Sequence, residues 1–200
     1  MADRLTIDLR AGLRELYPQC LYTDVLIYSG ESYYRVHKII LHAQSSVFAS
    51  IFEGGFQRES TGQQFIRLDE DDPITLGVLI DFLYTSVCNE ERASLAGDSS
   101  LFAIDLYAMG LKYKVPALCF LAADRLAKLS LTVTPGSASL EACFRVIRKI
   151  VACSADNDER LWDALVRKLK PEFWWLTTSQ DFFAVMMELP PPMNAITRAG

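Results

Sequence analysis

Residues 23–56 read TDVLIYSGESYYRVHKIILHAQSSVFASIFEGGF, and this stretch decides the fold. Its first six residues, Thr23–Tyr28, are rich in β-branched and aromatic side chains, which favours a half-buried strand. Residues 29–32 supply turn-forming side chains, and residues 33–37 return to strand-forming ones. The pattern therefore predicts a β-hairpin.

The spacing of apolar residues changes near Leu41, where the hairpin gives way to a helical pattern. The positions that share one helix face are Val47, Phe48, Ile51 and Phe52. A glycine pair at residues 54–55 ends the pattern, because glycine terminates a helix without a side-chain penalty. We predict one buried helix directly after the hairpin.

Several motifs in this stretch and beyond it resemble the signature of the BTB/POZ domain in residue type and order. They are Asp24-Val25, Val36-His37-Lys38, Leu41, Ser46, Phe48, Phe52, residues 65–68, Phe82-Leu83-Tyr84 and residues 107–116. The resemblance covers residues 21–129, and the C-terminal part is similar to the extensions of filamentous-fungal members. The family is a protein-interaction fold, so the resemblance implies binding and not catalysis.

The sequence pattern in the rest of the chain predicts one more strand and otherwise helices. We expect a strand at Phe65–Leu68, a helix starting at Asp72-Pro73, a mobile polar loop at Cys88–Ser100, and helices at Leu101–Lys112, Pro116–Lys128, Leu140–Cys153, Glu159–Leu169 and Gln180–Glu188. The fold class is α+β: a small three-stranded sheet packed on helices, with a C-terminal helical extension. The predicted parts are an N-terminal amphipathic helix (1–20), a BTB/POZ core (21–131), the extension (137–189) and a loose tail (190–200).

Composition excludes several classes of protein. The net charge of -5 and the pI near 5.1 oppose direct binding to nucleic acid or to an anionic membrane. No apolar run reaches the roughly 18 residues of a membrane span, and the acidic N-terminus does not fit a signal peptide. Five cysteines without a Cys-x-x-Cys pair indicate reduced thiols. We expect a protein of the cytoplasm, the nucleus or both.

The sequence offers no catalytic, metal or cofactor site. His37 and His42 are not at metal-ligand spacing, and we expect His37 to order the corner between hairpin and helix. Ser45 and Ser46 lie within the predicted helix and not in a nucleophile elbow. We therefore predict a non-enzymatic protein that requires no cofactor.

The N-terminal helix carries an apolar stripe that needs a partner. The stripe consists of Leu5, Leu9, Leu13 and Leu16. In dimeric BTB/POZ proteins a helix in this position packs across a two-fold axis, so the resemblance implies a homodimer. Folding of the helix back onto its own domain is the alternative.

The resemblance also implies a charged pocket at the dimer interface, formed by Asp24 and Lys38. The transcription-factor branch of the family usually has arginine where this chain has Lys38, and lysine cannot reproduce a bidentate fork. A structural hydrogen bond or ion pair is the simpler interpretation of both residues.

Two further segments are candidates for partner binding. Family members that recruit a cullin scaffold carry an apolar residue, any residue and then glutamate. In this chain two residues separate Phe56 from Glu59, so the strict triplet would put Gln57 in the apolar place. Phe56 either anchors a partner or closes the core.

Trp174 and Trp175 follow Phe173, and three adjacent aromatic residues cannot all face one core from a helix. Packing of the extension on the core is the alternative for these tryptophans.

Three functions fit these observations. The first is an interaction module that self-associates or docks a protein partner. The second is a substrate adaptor of a cullin-based ubiquitin ligase, and the third is a transcriptional regulator that recruits partners without contacting DNA.

Overall fold

The computed structural model describes Gly12, Glu15, and residues 17–60, 62–129, 138–153 and 160–169. The four leucines of the predicted N-terminal stripe, the Trp174-Trp175 pair, the predicted helix at Gln180–Glu188 and the tail lie outside the described residues. The chain divides into two compact units. The first comprises residues 1–96 and 109–118, and the second comprises residues 97–108 and 119–200.

The hairpin is confirmed. Strand β1 (Val25–Ser29) pairs antiparallel with β2 (Ser32–Val36), and Ser29 lies opposite Ser32. The turn is therefore only two residues long, shorter than the predicted turn at residues 29–32. Gly30 has a φ of +55°, a conformation that glycine adopts at no steric cost at the first position of a tight hairpin.

The sheet has four strands, so the prediction of three was one short. Strand β3 (Gln57–Arg58) and strand β4 (Gln64–Arg67) complete the order β2-β1-β4-β3. Strand β4 runs parallel to β1 and antiparallel to β3. A strand of two polar residues carries no alternation and little strand propensity, which explains why the sequence did not indicate it.

The single helix predicted after the hairpin is two helices, α1 (Lys38–Gln44) and α2 (Ser46–Glu53). Ser45 separates them in an extended conformation, with φ -142° and ψ 116°. Its side chain accepts a hydrogen bond from the Phe48 amide and donates one of 2.6 Å to the Tyr113 carbonyl. Ser45 is thus a buried helix cap and not a helix-interior residue.

Helix α3 (Pro73–Thr85) begins as predicted. Asp72 accepts a 2.8 Å hydrogen bond from the Thr75 amide, and Pro73 occupies the first turn. The helix is buried on all sides, and the sheet packs its inner face, including Val25 and Ile27, into the same core.

The segment predicted as a mobile loop contains a short helix, α4 (Glu90–Ser94). Asn89 caps it by accepting a hydrogen bond from the Arg92 amide, and Glu90 and Glu91 lie in the first turn, where acidic side chains are favourable. The polar composition that predicted a loop is therefore the composition of a capped, mostly exposed helix.

The remaining described helices confirm the predicted pattern. They are α5 (Ser99–Lys112), α6 (Pro116–Lys128), α7 (Ala138–Cys153) and α8 (Arg160–Leu169). Within the second unit, Lys149 forms a 2.6 Å ion pair with Asp105. Cys119 and Cys143 are buried. The division at residues 131 and 137 remains a prediction.

Candidate partner-binding surfaces

Asp24 and Lys38 are in contact at the end of the hairpin, but the contact is made by the Lys38 backbone and not by its ammonium group. The Asp24 carboxylate accepts a 2.8 Å hydrogen bond from the Lys38 amide, immediately after the residue that caps helix α1. The Lys38 ammonium points elsewhere: it hydrogen-bonds to Gln64 and lies 4.3 Å from the centre of the Phe56 ring. Asp24 is exposed, so its charge carries no burial penalty.

Apolar side chains lie exposed beside this junction. Tyr22 is 85% exposed and Ile39 is 74% exposed, and they flank Asp24 and Lys38 within two residues along the chain. Leu21 is also partly exposed. Exposed apolar residues that cluster in this way are typical of protein-binding surfaces.

His37 fixes the backbone at this corner, as predicted. Its Nε2 lies 2.7 Å from the Leu21 carbonyl, which only accepts, so this nitrogen carries the proton. The Tyr84 hydroxyl then donates to Nδ1 at 2.8 Å and accepts from the His37 amide at 2.7 Å. Burial is the main cause that raises the pKa of Tyr84 to about 12.

A buried polar cluster around Asp81 fixes the segment that leads into the hairpin, and sequence reasoning missed it. The Asp81 carboxylate accepts hydrogen bonds from the Tyr17 hydroxyl at 2.7 Å, Asn89 Nδ2 at 2.8 Å and Arg92 Nε at 2.9 Å. The Tyr17 ring stacks on Tyr84 with centroids 4.0 Å apart. Burial first and the Asp81 charge second raise the pKa of Tyr17. The available signal was an aspartate within the apolar run LIDFLY at residues 79–84.

Phe56 packs on the core, and its role as a partner anchor remains a prediction. Its ring stacks on Phe52 at 5.5 Å, which extends the aromatic core, and the Lys38 ammonium covers it. The residue is only half-buried, so part of its surface is open to solvent.

Glu59 contacts a different part of the fold from Phe56. Its carboxylate accepts a 2.7 Å hydrogen bond from the Tyr28 hydroxyl, whereas Phe56 packs against helix α2 and Lys38. Gln57 lies between them on strand β3, where it is exposed. The structure therefore places the three residues of the approximate cullin motif at one sheet edge with separate contacts.

Within the described ranges, no helix is long and apolar enough to cross a membrane. Among the same residues, no cluster of three or more His, Cys, Asp or Glu side chains is arranged to hold a metal ion.

Comparison with known proteins gives consistent matches to one domain. Kelch-like protein 25 from Rattus norvegicus is 36% identical over 97 residues, which cover 46% of this chain and 16% of that protein. Human zinc finger and BTB domain-containing protein 21 is 29% identical over 107 residues, which cover 54% of this chain and 9% of that protein. The chain thus spans less than a fifth of the length of either curated relative.

The solved structure of the BTB domain of zebrafish PATZ1 is also similar. It is 18% identical, with a TM-score of 0.48, and the match covers 64% of this chain and 99% of that one. These three relatives come from animals, so a place in the filamentous-fungal branch remains a prediction. The family model described as "BTB/POZ domain" matches residues 13–119, more than half of the 200 residues. The chain therefore belongs to the BTB/POZ domain family, whose members are protein–protein interaction modules.

Proposed function

We propose that this chain is a non-enzymatic interaction module that self-associates through the surface around Asp24 and Lys38. The observation that supports the proposal is the pair of exposed apolar side chains, Tyr22 and Ile39, beside that junction. Burying them against a second copy would remove apolar area from water, which is the dominant favourable term in protein association. The leucine stripe of the N-terminal segment would extend the same interface.

The Asp81 cluster supplies the rigidity that such an interface requires. Tyr17 and Leu21 are both tied to the core by hydrogen bonds, so the segment between them enters the interface already ordered. Preordering lowers the conformational entropy lost on association.

The test is the mass of the purified full chain by light scattering and sedimentation, with and without Ile39→Glu. We expect a dimer at micromolar concentration and a monomer for the variant, because a charge would be buried at the interface. Leu95→Glu is the matched control, since Leu95 is 70% exposed and lies outside the proposed surface. A monomeric parent chain, or a dimer that survives Ile39→Glu, would refute the proposal.

A second candidate function is that of a substrate adaptor in a cullin-based ubiquitin ligase. The observation that favours it is the half-buried Phe56 ring followed three residues later by the Glu59 carboxylate. An aromatic anchor beside a carboxylate fits the usual composition of an interface hot spot. In this arrangement the extension would hold the substrate, through Trp174 and Trp175.

Calorimetric titration with the N-terminal region of a cullin scaffold tests this candidate. We expect saturable binding that Phe56→Ala abolishes and Gln57→Ala leaves within about twofold, because Gln57 offers no apolar surface. Glu59→Ala also removes the acceptor of the Tyr28 hydroxyl, so Tyr28→Phe is its control. Absence of heat with the parent chain, or binding retained by Phe56→Ala, would remove this function.

Recruitment of partners by a transcriptional regulator is the third function that the family permits, and similarity to a zinc finger and BTB domain-containing protein supports it. Such a role would use the same self-association surface and would place the chain in the nucleus, whereas the adaptor role fits either compartment. Recovery of nuclear partners by cross-linking, lost in Ile39→Glu, is the expected result.

A further inference from the structure

The face of the sheet that points away from the core carries aromatic and basic side chains. Alternate residues of a strand face opposite sides, and the inward residues Val25 and Ile27 are fully buried. Strand register places the outward side chains in two rows. One row is Arg35, Leu26, Phe65 and Gln57, and the next is Tyr33, Tyr28 and Arg67. We call Tyr28, Tyr33, Arg35, Phe65 and Arg67 the outer face.

Three aromatic rings form the centre of the outer face. Tyr28 meets Phe65 edge-on with centroids 5.7 Å apart, and its ring lies 6.2 Å from that of Tyr33. Tyr33 is 57% exposed, and Tyr28 and Phe65 are half-buried. A sheet face turned towards water is ordinarily polar, so this continuous aromatic strip indicates a binding surface.

Two guanidinium groups border the aromatic strip. Arg67 lies 4.9 Å from the centre of the Tyr28 ring and 5.9 Å from that of Phe65, so the rings hold its plane in place. Its ion pair with Asp69 is long, at 3.9 Å. Arg35 is exposed on the edge strand β2. Both groups therefore keep N–H donors directed to solvent.

Two nearby carboxylates already accept hydrogen bonds: Glu59 from the Tyr28 hydroxyl, and Asp69 from the Gly30 amide at 3.1 Å. The five side chains of the outer face themselves include two guanidinium groups and no carboxylate. Carboxylates are the groups that complement a guanidinium fork, and they bind it with charge-assisted hydrogen bonds.

We propose that the outer face binds an extended acidic segment of a partner protein, with carboxylates on Arg35 and Arg67 and a flat apolar side chain between them on Tyr28. The two arginines lie two strands and two residues apart, which corresponds to about 12 Å between their backbone positions. Residues four apart in an extended chain are separated by about 13 Å. The segment should therefore carry acidic residues at positions i and i+4.

The two arginines of the outer face supply few phosphate contacts, so a nucleic acid is a poorer alternative occupant. The outer face is distinct from the self-association surface around Asp24 and Lys38. A partner segment could therefore bind to a monomer or to a dimer, and the two proposals fail independently.

The probe is the peptide Ser-Glu-Gly-Trp-Gly-Glu-Ser, titrated into the isotope-labelled full chain and followed by amide chemical shifts. We expect shifts on β1, β2 and β4, and at least tenfold weaker binding of the same peptide with glutamine for both glutamates. Arg35→Glu and Arg67→Glu should each weaken binding at least tenfold. Arg145→Glu, a reversal at an exposed arginine of α7, should leave it unchanged.

Four results would overturn the proposal: no shifts at millimolar peptide, equal binding of the glutamine peptide, binding retained by both arginine variants, or shifts on other elements. Shifts of the same amides with a single-stranded oligonucleotide at physiological salt would assign the face to nucleic acid instead. Shifts that follow protein concentration without peptide would assign it to a second copy. Thermal unfolding of each variant shows whether the fold is intact.

Discussion

Asp81 is 4% exposed in the middle of helix α3, and its carboxylate forms an ion pair with Arg92. Replacing Arg92 with methionine keeps most of the aliphatic stem and removes the charge. The hydrogen bonds from Tyr17 and Asn89 remain, so the variant isolates the contribution of the guanidinium.

Removing one partner of a buried ion pair costs about 3–5 kcal/mol, because the other charge remains in a low-dielectric site. Here the Arg92 side chain is 34% exposed, so water already screens part of the interaction. Asp81 also retains two neutral donors. We therefore expect Arg92→Met to lower the free energy of unfolding by about 2–3 kcal/mol, below the range for a fully buried pair.

The control is a shorter ion pair on the surface. Lys128 lies 2.6 Å from Asp124, compared with 2.9 Å between Arg92 and Asp81, but both side chains are more than half exposed. Lys128→Met should cost less than about 1 kcal/mol, because exposed pairs contribute little. The comparison separates the effect of burial from the effect of distance.

The assay is urea unfolding by circular dichroism, with hydrogen exchange of the α3 amides as a local measure of stability. Asp81→Asn and the double variant complete a thermodynamic cycle, and we expect a coupling free energy of at least about 1 kcal/mol between Asp81 and Arg92. If Arg92→Met and Lys128→Met cost the same, or if the cycle is additive, the claim that the buried pair stabilises this unit is wrong.

Three further predictions follow from single sites. A Cβ at Gly77 would lie 2.8 Å from Arg92 Cδ. Gly77→Ala should therefore lower the free energy of unfolding by about 1 kcal/mol, even though alanine gains about 1 kcal/mol in helix propensity. A variant that is more stable in urea would contradict this prediction. Burial raises the pKa of Tyr84 to about 12. The stability that is present below about pH 10 should therefore fall as the pH rises towards 12. Absorbance at 295 nm should show that the ionisation of Tyr84 is coupled to unfolding, and free ionisation of Tyr84 in a folded chain at pH 10 would refute this prediction. Ser45→Ala should lower the free energy of unfolding in urea by about 2 kcal/mol, because two buried hydrogen bonds are lost. Ser46→Ala, at the exposed neighbouring residue, should change it by less than about 0.5 kcal/mol. Equal losses in the two variants would rule out the capping role of Ser45.

Local patterns were sufficient for most elements of the fold. The hairpin follows from two strand-forming runs around Gly30, and helix α3 follows from the Asp72-Pro73 start signal. Both signals act between residues close in sequence, and no tertiary contact overrides them here. The helices at residues 116–128 and 160–169 were predictable for the same reason.

The missed features depend on distant residues. The break at Ser45 is stabilised by the Tyr113 carbonyl, which lies 68 residues away along the chain. The Asp81 carboxylate finds donors on both sides of α3, one of them 64 residues earlier at Tyr17. Strand β3 forms only because β4 is present to pair with it. Periodicity and composition do not report such pairings.

The contacts of the candidate site residues were not predictable from the sequence. Sequence indicated Asp24, Lys38, Phe56 and Glu59, while their partners came from the structure. Glu59 binds Tyr28, 31 residues earlier, which a motif search confined to residues 56–59 does not reveal. The exposure of Ile39 depends on the orientation of α1, which local sequence patterns do not report.

The backbone and the side chain of Lys38 make separate contacts, and these explain why lysine is suitable at this position. The backbone amide binds Asp24, and any residue with a free N–H would supply that bond. The ammonium lies over the Phe56 ring and hydrogen-bonds to Gln64, a geometry in which a compact point charge serves well and a planar fork gains nothing. Lys38 therefore connects the proposed self-association surface to the aromatic edge at Phe56.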